Sequence, residues 1–212
     1  MIRKASALAV SLLLAGSWIA SAQEKKPLSP AGSASTMVGG TWAAPDKDGE
    51  RAYSGGKWIE VTYARPMLRG RSEIFGKGAD YGKTVNAGAP VWRAGANQTT
   101  KLSTEVPLTI GGKRLEAGSY DLFVALQEGA WTLILSTQPT QDKYDPKDKA
   151  KIWGSYDYDA KFDVVRVPMT MVTPAVAIDQ FTIAFADMTD AGGKLAMAWE
   201  KTAAFVPFAL AK

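Results

Sequence analysis

Apolar and polar residues alternate along much of the chain, with the two-residue period of strands that bury one face. In the segment Lys57–Tyr63, for example, Ile59, Val61 and Tyr63 share one face. The pattern predicts a protein built mainly of β-strands. The segments with this spacing are 57–63, 99–110, 120–126, 131–135, 162–167, 180–186, 195–199 and 205–208.

Turn signals between these segments favour antiparallel pairing. Gly111-Gly112 predicts one hairpin turn, and Gln127–Ala130 predicts a second one. Residues 153–158 and 162–167 are expected to form a further strand pair. The segment 136–152 is rich in Asp and Lys, which predicts a long solvated surface loop.

These patterns together predict an all-β fold. We expect an antiparallel β-sandwich, barrel-like or jelly-roll-like, of roughly eight to ten strands, with little or no helix outside the N-terminal segment. Residues 57–212 are expected to form a single domain of this kind. Residues 23–56 are expected to form an extended N-terminal arm, because Pro27, Pro30 and Pro45 punctuate them and apolar periodicity is absent.

The N-terminus has the features of an export signal. Arg3 and Lys4 precede the apolar run 5–20, and Ala20-Ser21-Ala22 provides a small-x-small cleavage site. Residues 1–22 are therefore predicted to be a signal peptide, and the protein is expected to be periplasmic or secreted. An uncleaved N-terminal anchor is the alternative. No other stretch approaches the ~20 apolar residues of a membrane helix, so no membrane span is expected after cleavage.

The composition excludes several kinds of chemistry. The chain has no histidine and no cysteine, so a Ser-His-Asp triad, a thiol nucleophile and a His or Cys metal site are ruled out. Asp46-Lys47-Asp48-Gly49 resembles the start of a calcium loop, but the remaining ligands are missing, which favours a simple turn. We therefore expect no metal and no cofactor.

The charge is unevenly distributed along the chain. The formal net charge is +4. Residues 51–114 contain 11 Lys/Arg against 4 Asp/Glu, and residues 115–212 contain 9 against 13, which gives +7 and −4 respectively. An exported protein of low net charge is not expected to bind nucleic acid. A localised site for a small anionic or sugar-like ligand is the more economical interpretation.

The stretch 63–97 combines arginines and aromatic residues with bending glycines. Planar guanidinium groups bind carboxylate or phosphate, and aromatic rings stack on sugar rings or cover a guanidinium. The stretch therefore predicts a binding site, and the protein is interpreted as a non-catalytic binding module for an anionic or carbohydrate-like ligand or for a cell-envelope partner. The candidate ligand-binding residues are Arg65, Arg69, Arg71, Tyr81, Lys83, Trp92, Arg93 and Asn97.

Two other interpretations remain open. The arginines could instead tie the sheets together through internal carbonyls, in which case the protein would be structural. A hydrolase acting on a glycan through carboxylates is the other alternative. Asp157 and Asp159 are its candidates, since they are expected on one face of a strand, although the flanking Tyr156 and Tyr158 favour an ordinary exposed strand edge.

The ordered succession of several short motifs resembles the exported bacterial domain-of-unknown-function family 2911. The motifs are Tyr63–Pro66, Gly70-Arg71, Ile74–Gly76, Tyr81-Gly82, Val91–Asn97, Gly118–Phe123, Trp131–Leu135, Trp199–Thr202 and Val206-Pro207. The resemblance covers residues 29–208 and implies an exported β-rich domain. It implies no activity.

The chain departs from the family pattern at two places. Residues 84–90 intervene between the Tyr-Gly and Trp-Arg pairs, which are almost adjacent in many members. Gln98 stands where a glutamate often follows the asparagine. A proton-transfer role of that glutamate could not be shared by this chain.

Overall fold

The computed structural model describes residues 27–212. The predicted signal peptide, residues 1–22, lies outside these described residues. The described chain forms two antiparallel sheets that share one buried apolar core. The predicted all-β sandwich fold is thereby confirmed.

The first sheet contains six strands, each antiparallel to its neighbours. In spatial order they are β1 (Ala31–Val38), β4 (Lys57–Ala64), β5 (Thr100–Thr104), β8 (Gly118–Ala125), β9 (Thr132–Ser136) and β10 (Asp163–Pro168).

The second sheet is assembled mostly from the C-terminal third of the chain. In spatial order its strands are β12 (Ile178–Thr189), β13 (Gly192–Glu200), β14 (Thr202–Leu210), β6 (Leu108–Ile110) and β7 (Lys113–Leu115), with β11 (Thr170–Val172) paired to β14. A separate two-stranded ribbon pairs β2 (Thr41–Trp42) with β3 (Tyr53–Ser54).

Helical structure in the described chain is confined to three short pieces. They are the single α-helical turn α1 (Lys83–Asn86) and the 3-10 turns Gly78–Asp80 and Ala160–Phe162. No helix within residues 27–212 combines the length and the apolarity that a membrane crossing requires.

The alternation of apolar and polar residues in the sequence determines which side chains form the core. In β4, Ile59, Val61 and Tyr63 are buried while the residues between them are exposed. Leu195 and Met197 of β13 are buried against them in the same cluster. Alternate side chains point to opposite faces of a strand, so each sheet turns one apolar face inward.

Aromatic residues fill one region of this core. Phe75, Trp92, Trp131, Phe181 and Trp199 form an aromatic cluster whose ring centroids lie 4.9 to 6.3 Å apart. Phe75 and Trp92 belong to the long connection between β4 and β5. The connection is therefore anchored in the core by its own aromatic side chains.

Three expectations need correction. The predicted arm contributes an edge strand to the first sheet, because Ala31–Val38 pairs along its length with β4. Residues 153–158 form turns and not a strand, so the predicted pair 153–158/162–167 does not exist. β11 lies in a segment for which no strand was predicted. The hairpins at Gly111-Gly112 and Gln127–Ala130 are confirmed.

Candidate functional site

The connection between β4 and β5, residues 65–99, covers one end of the sandwich and carries all eight predicted site residues. Backbone bonds attach it to the second sheet: the Leu68 amide donates to Asp179 O at 2.8 Å. The carboxylate of Glu200, in β13, accepts from the amides of Glu73 and Ile74. The connection is therefore fixed by bonds to residues more than 100 positions away in the sequence.

A small pocket lies within this connection and against Trp199. Its volume is ≈ 280 Å³. Four of the predicted ligand residues line it: Arg71, Trp92, Arg93 and Asn97. Ser29 and Thr84 add hydroxyl groups, small apolar side chains complete the wall, and no aspartate or glutamate lines it. We call it the two-arginine pocket.

Arg71 is held in place by the backbone of its own turn. Its Nε donates to Leu68 O at 2.9 Å and its Nη2 donates to Met67 O at 2.7 Å. The guanidinium carbon lies 5.9 Å from the centroid of the Trp199 ring, within cation–π range. These bonds leave Nη1 unused within the described chain, so the group is both oriented and able to donate further.

Arg93 is the buried arginine of the pocket, with 7% of its surface exposed. Its Nη1 donates to Asn97 O at 2.7 Å, and its guanidinium carbon lies 5.0 Å from the Tyr156 ring centroid. Asn97 has φ 62°, a left-handed conformation that asparagine tolerates well. Among residues 27–212, neither Arg71 nor Arg93 forms an ion pair.

A larger groove adjoins the pocket and shares Arg71 with it. Its volume is ≈ 790 Å³. Tyr81 lines the groove, and its hydroxyl accepts from Nε1 of Trp131 at 2.9 Å. Burial raises the pKa of Tyr81, so its own hydroxyl proton stays bound at neutral pH. The charged residues that line the groove are Arg71, Glu73, Lys77, Glu128, Glu200 and Lys201.

The glutamates of this groove are engaged by the protein itself. Glu73 pairs with Lys77, and this contact lowers the pKa of Glu73. Glu128 accepts from the Gly78 amide at 2.8 Å, and Glu200 holds two backbone amides. A general acid for glycoside hydrolysis needs a raised pKa, and Glu73 is shifted in the opposite direction.

Asp157 and Asp159, the sequence-based candidates for hydrolysis, do not share a strand face. Asp157 has φ 59° and lies in a turn. Asp159 caps the following 3-10 turn, where its side chain accepts from the Lys161 amide. The contact with Lys161 lowers the pKa of Asp159. That part of the hydrolase interpretation is wrong, because the predicted strand 153–158 is absent.

The other predicted arginines and Lys83 lie outside the pocket. Arg65 bridges the two sheets: Nε donates to Phe181 O and Nη2 to Thr182 Oγ1, both at 3.4 Å. Arg69 is exposed at a turn with φ 51°. Lys83 pairs with Asp80 at 2.8 Å.

Trp92 lines the pocket but is only 1% exposed, because its ring packs inside the aromatic cluster. Its Nε1 donates to Gly95 O at 3.1 Å. It is therefore a core residue that supports the pocket and offers no open face for stacking on a sugar.

Sequence reasoning missed several residues of the site. Trp199, Glu200 and Lys201 reach it from the end of β13, and Ser29 reaches it from the segment before β1. The Trp-Glu-Lys run was visible as a motif, but nothing local tied it to the arginines. Within residues 27–212 no group of three or more carboxylates is arranged to hold a metal ion.

Fold and site define an all-β sandwich with a cationic pocket at one end. Comparison of the sequence with protein families identifies the group: the profile of the family described as "Protein of unknown function (DUF2911)" matches residues 45–208. The chain belongs to this family, as the motifs indicated. No curated protein matches the chain, and no solved structure matches it.

Proposed function

We propose that this protein is an exported, non-catalytic binding module for a small anionic, sugar-like ligand. The two-arginine pocket receives the carboxylate, phosphate or sulfate group, and the adjoining groove receives the body of the ligand. The observation that carries the proposal is that, among residues 27–212, two arginines without carboxylate partners line a pocket to which no acidic residue contributes.

Electrostatics support an anion in the pocket. A guanidinium in a partly buried site attracts an anion more strongly than one in open water, because the local dielectric is lower. Arg71 already has its Nε and Nη2 bonded to the backbone, so little side-chain entropy is lost when a ligand binds to it.

The dimensions and lining of the two cavities support a sugar-like body. A pocket of ≈ 280 Å³ suits a small anionic group, and the groove of ≈ 790 Å³ has room for a larger one. The groove is lined by three carboxylate acceptors and three cationic donors. Hydroxyl groups both donate and accept, so a polyhydroxylated ligand matches this lining.

Thermal unfolding with defined probes tests the proposal. Inorganic phosphate, glucuronic acid, glucose 6-phosphate and neutral glucose would each be added to the protein lacking residues 1–22. We expect the anionic sugars to raise Tm, since a ligand that binds only the native state adds about 2.7 kcal/mol at a hundredfold excess over Kd. Glucose should raise Tm much less.

Arg71→Gln should abolish the rise in Tm, with isothermal titration calorimetry as the second measurement. Arg51→Gln is the matched control, because Arg51 also donates from Nε to a backbone carbonyl, Ala43 O at 2.9 Å, and lies 5.8 Å from a ring, that of Trp42. Equal losses in both variants, or no stabilisation by any anion, would refute the proposal.

The exported location is part of the proposal and has its own test. Intact-mass measurement of the protein from a secreting bacterial host should give a chain that begins at Gln23. A chain that retains residues 1–22 would favour the uncleaved anchor.

A further inference from the structure

The loop 137–159 is held by two buried glutamine side chains. Gln141, 6% exposed, places Nε2 within 3.0 to 3.1 Å of three backbone carbonyls of the loop, and its Oε1 accepts from the Asp145 amide. Gln138, 5% exposed, donates to Asp157 O and accepts from the Asp159 amide, both at 2.9 Å. The loop therefore has a defined shape without strands of its own.

This loop displays aromatic residues at the surface. Tyr144 is 59% exposed and Tyr156 is 39% exposed. Trp153, which lies between them in the sequence, is partly buried. The rings of Tyr144 and Trp153 are tilted to each other with centroids 5.6 Å apart. The three residues line a depression of ≈ 430 Å³. We call them the aromatic platform.

The exposure of the aromatic platform contrasts with the aromatic rings of the core. Trp92, Trp131, Phe123 and Phe181 are all buried to below 2% exposure. Exposed aromatic surface gathered at one depression is typical of a binding site, since a fold gains stability by covering such rings.

Charged side chains surround the aromatic platform and are held in place. Asp145 Oδ1 accepts from the Lys147 amide at 2.9 Å, and Asp148 Oδ1 accepts from the Ala150 amide at 3.0 Å. Each carboxylate keeps its second oxygen free of bonds within the described chain. Lys149 and Lys151 line the same depression. The rim thus offers both acceptors and donors.

We propose that the aromatic platform binds a neutral pyranose residue of a glycan. The apolar C–H face of the sugar packs on Tyr144 and Trp153, and its hydroxyl groups bond to the free carboxylate oxygens of Asp145 and Asp148. An organic cation, the other ligand class that aromatic rings and carboxylates attract, is the alternative that the titration below distinguishes. This site shares no lining residue with the two-arginine pocket, although Arg93 of that pocket lies 5.0 Å from the ring of Tyr156.

Titration of the 15N-labelled protein lacking residues 1–22 tests the inference. The probes are neutral oligosaccharides of glucose, mannose and N-acetylglucosamine, with choline as the cationic alternative. We expect one neutral sugar to shift the indole N–H signal of Trp153. Tyr144→Ala should raise its Kd about tenfold, the free energy of one lost aromatic contact.

Trp58→Ala is the matched control, since Trp58 is a 49% exposed aromatic residue on β4. It should leave Kd unchanged, as should Arg71→Gln. The inference is overturned if no neutral sugar shifts the Trp153 signal up to its solubility limit. It is equally overturned if choline alone shifts it, or if Tyr144→Ala binds as tightly as the wild type.

Discussion

The hydroxyl group of Tyr63 joins the two sheets through a single residue of the opposite strand, Ile183. It accepts from the Ile183 amide at 2.9 Å and donates to the Ile183 carbonyl at 3.3 Å. Tyr63 lies in β4 and is 4% exposed, and its ring meets Phe181 edge-to-face at 5.6 Å. A strand of one sheet thereby bonds to a strand of the other without any ladder between them.

Tyr63→Phe should therefore destabilise the protein by about 1–3 kcal/mol, because it leaves a buried backbone N–H and C=O without their partner. Urea unfolding followed by tryptophan fluorescence measures this change. Tyr120→Phe is the control: the Tyr120 hydroxyl donates to Glu116 O at 3.0 Å at an exposed position. Equal losses of unfolding free energy in the two variants would show that the buried hydrogen bonds of Tyr63 stabilise the protein no more than the exposed bond of Tyr120.

Alternation predicted the long hairpins because it is a local signal with a direct physical cause. In β12 and β13 the buried residues recur with the two-residue spacing that the sequence shows. β8 and β9 were predicted from the same spacing, yet each has four consecutive buried residues, because Phe123 and Ile134 pack in a second apolar cluster. β1 was missed because its residues are small and, of the eight, only Val38 is fully buried. Its pairing with β4 decides its conformation, and that pairing is not local.

In the segment 153–158 the sequence predicted a strand that the structure does not contain. Its aromatic residues suggested a strand, but the side chain of Gln138 bonds the backbone at Asp157 and Asp159 and holds it in turns. A distant amide thus overrides the local preference.

The position of the candidate site was predictable, but the roles of the individual arginines were not. Arginines and aromatic residues among glycines singled out residues 63–97, and this stretch contributes residues to both cavities. Arg65 and Arg71 look alike in sequence, yet Arg65 bonds to β12 and Arg71 lines both cavities. The difference depends on which backbone lies within reach after folding, and no local pattern records that.

Asp121 gives a prediction about pH. It is 8% exposed, and Thr140 donates to its Oδ1 at 2.9 Å. Burial is the main cause that raises the pKa of Asp121 to about 6. In the unfolded chain an aspartate titrates near ~3.9. The native state therefore binds more protons between these values, and the stability that Asp121 contributes is lost as the pH rises through about 6.

Asp121→Asn removes this titration and keeps an oxygen that accepts from Thr140. The free energy of unfolding of the wild type relative to the variant should fall between pH 4 and pH 7, by at most about 3 kcal/mol. A constant difference between wild type and Asp121→Asn across this range would contradict the prediction. Asp142→Asn should show a change of opposite sign and at lower pH: Lys101 lowers the pKa of Asp142, so the stability that Asp142 contributes is lost as the pH falls below ~3.9.

Gly154→Ala should disturb Arg93 directly. A Cβ at Gly154 would lie 2.2 Å from Arg93 Nη1, and the residue has φ +63°. We expect a loss of about 1–3 kcal/mol in stability from the backbone and the contact together. We also expect a weaker response to anionic probes, because the guanidinium must move. Thermal unfolding with and without glucose 6-phosphate measures both effects.

Gly49→Ala separates the effect of the backbone conformation from the effect of the contact with Arg93 in Gly154→Ala. Gly49 has a similar backbone conformation, φ +84°, and its Cβ would meet nothing within 4 Å. It should lower Tm through the backbone alone and leave the response to anions intact. If Gly154→Ala also keeps the full response, Arg93 is not part of the anion site.

Gln141→Met tests what gives the loop 137–159 its shape. Methionine has nearly the length of glutamine but cannot donate, so the carbonyls of Asp145, Asp148 and Lys151 lose the amide they share. We expect the loop to open locally much more often than the whole protein unfolds. Hydrogen exchange measured by mass spectrometry should become about tenfold faster in peptides from this loop.

Gln98→Met is the control. Within the described chain the side-chain amide of Gln98 donates to no backbone carbonyl, whereas that of Gln141 lies within hydrogen-bond distance of three. This variant should leave exchange in residues 137–159 unchanged. The loop carries the aromatic platform, so Gln141→Met should also weaken the binding of a neutral sugar while the response to anions persists. Faster exchange with undiminished sugar binding would mean that Tyr144 and Trp153 keep their arrangement without the glutamine, and that the buried amide serves stability alone.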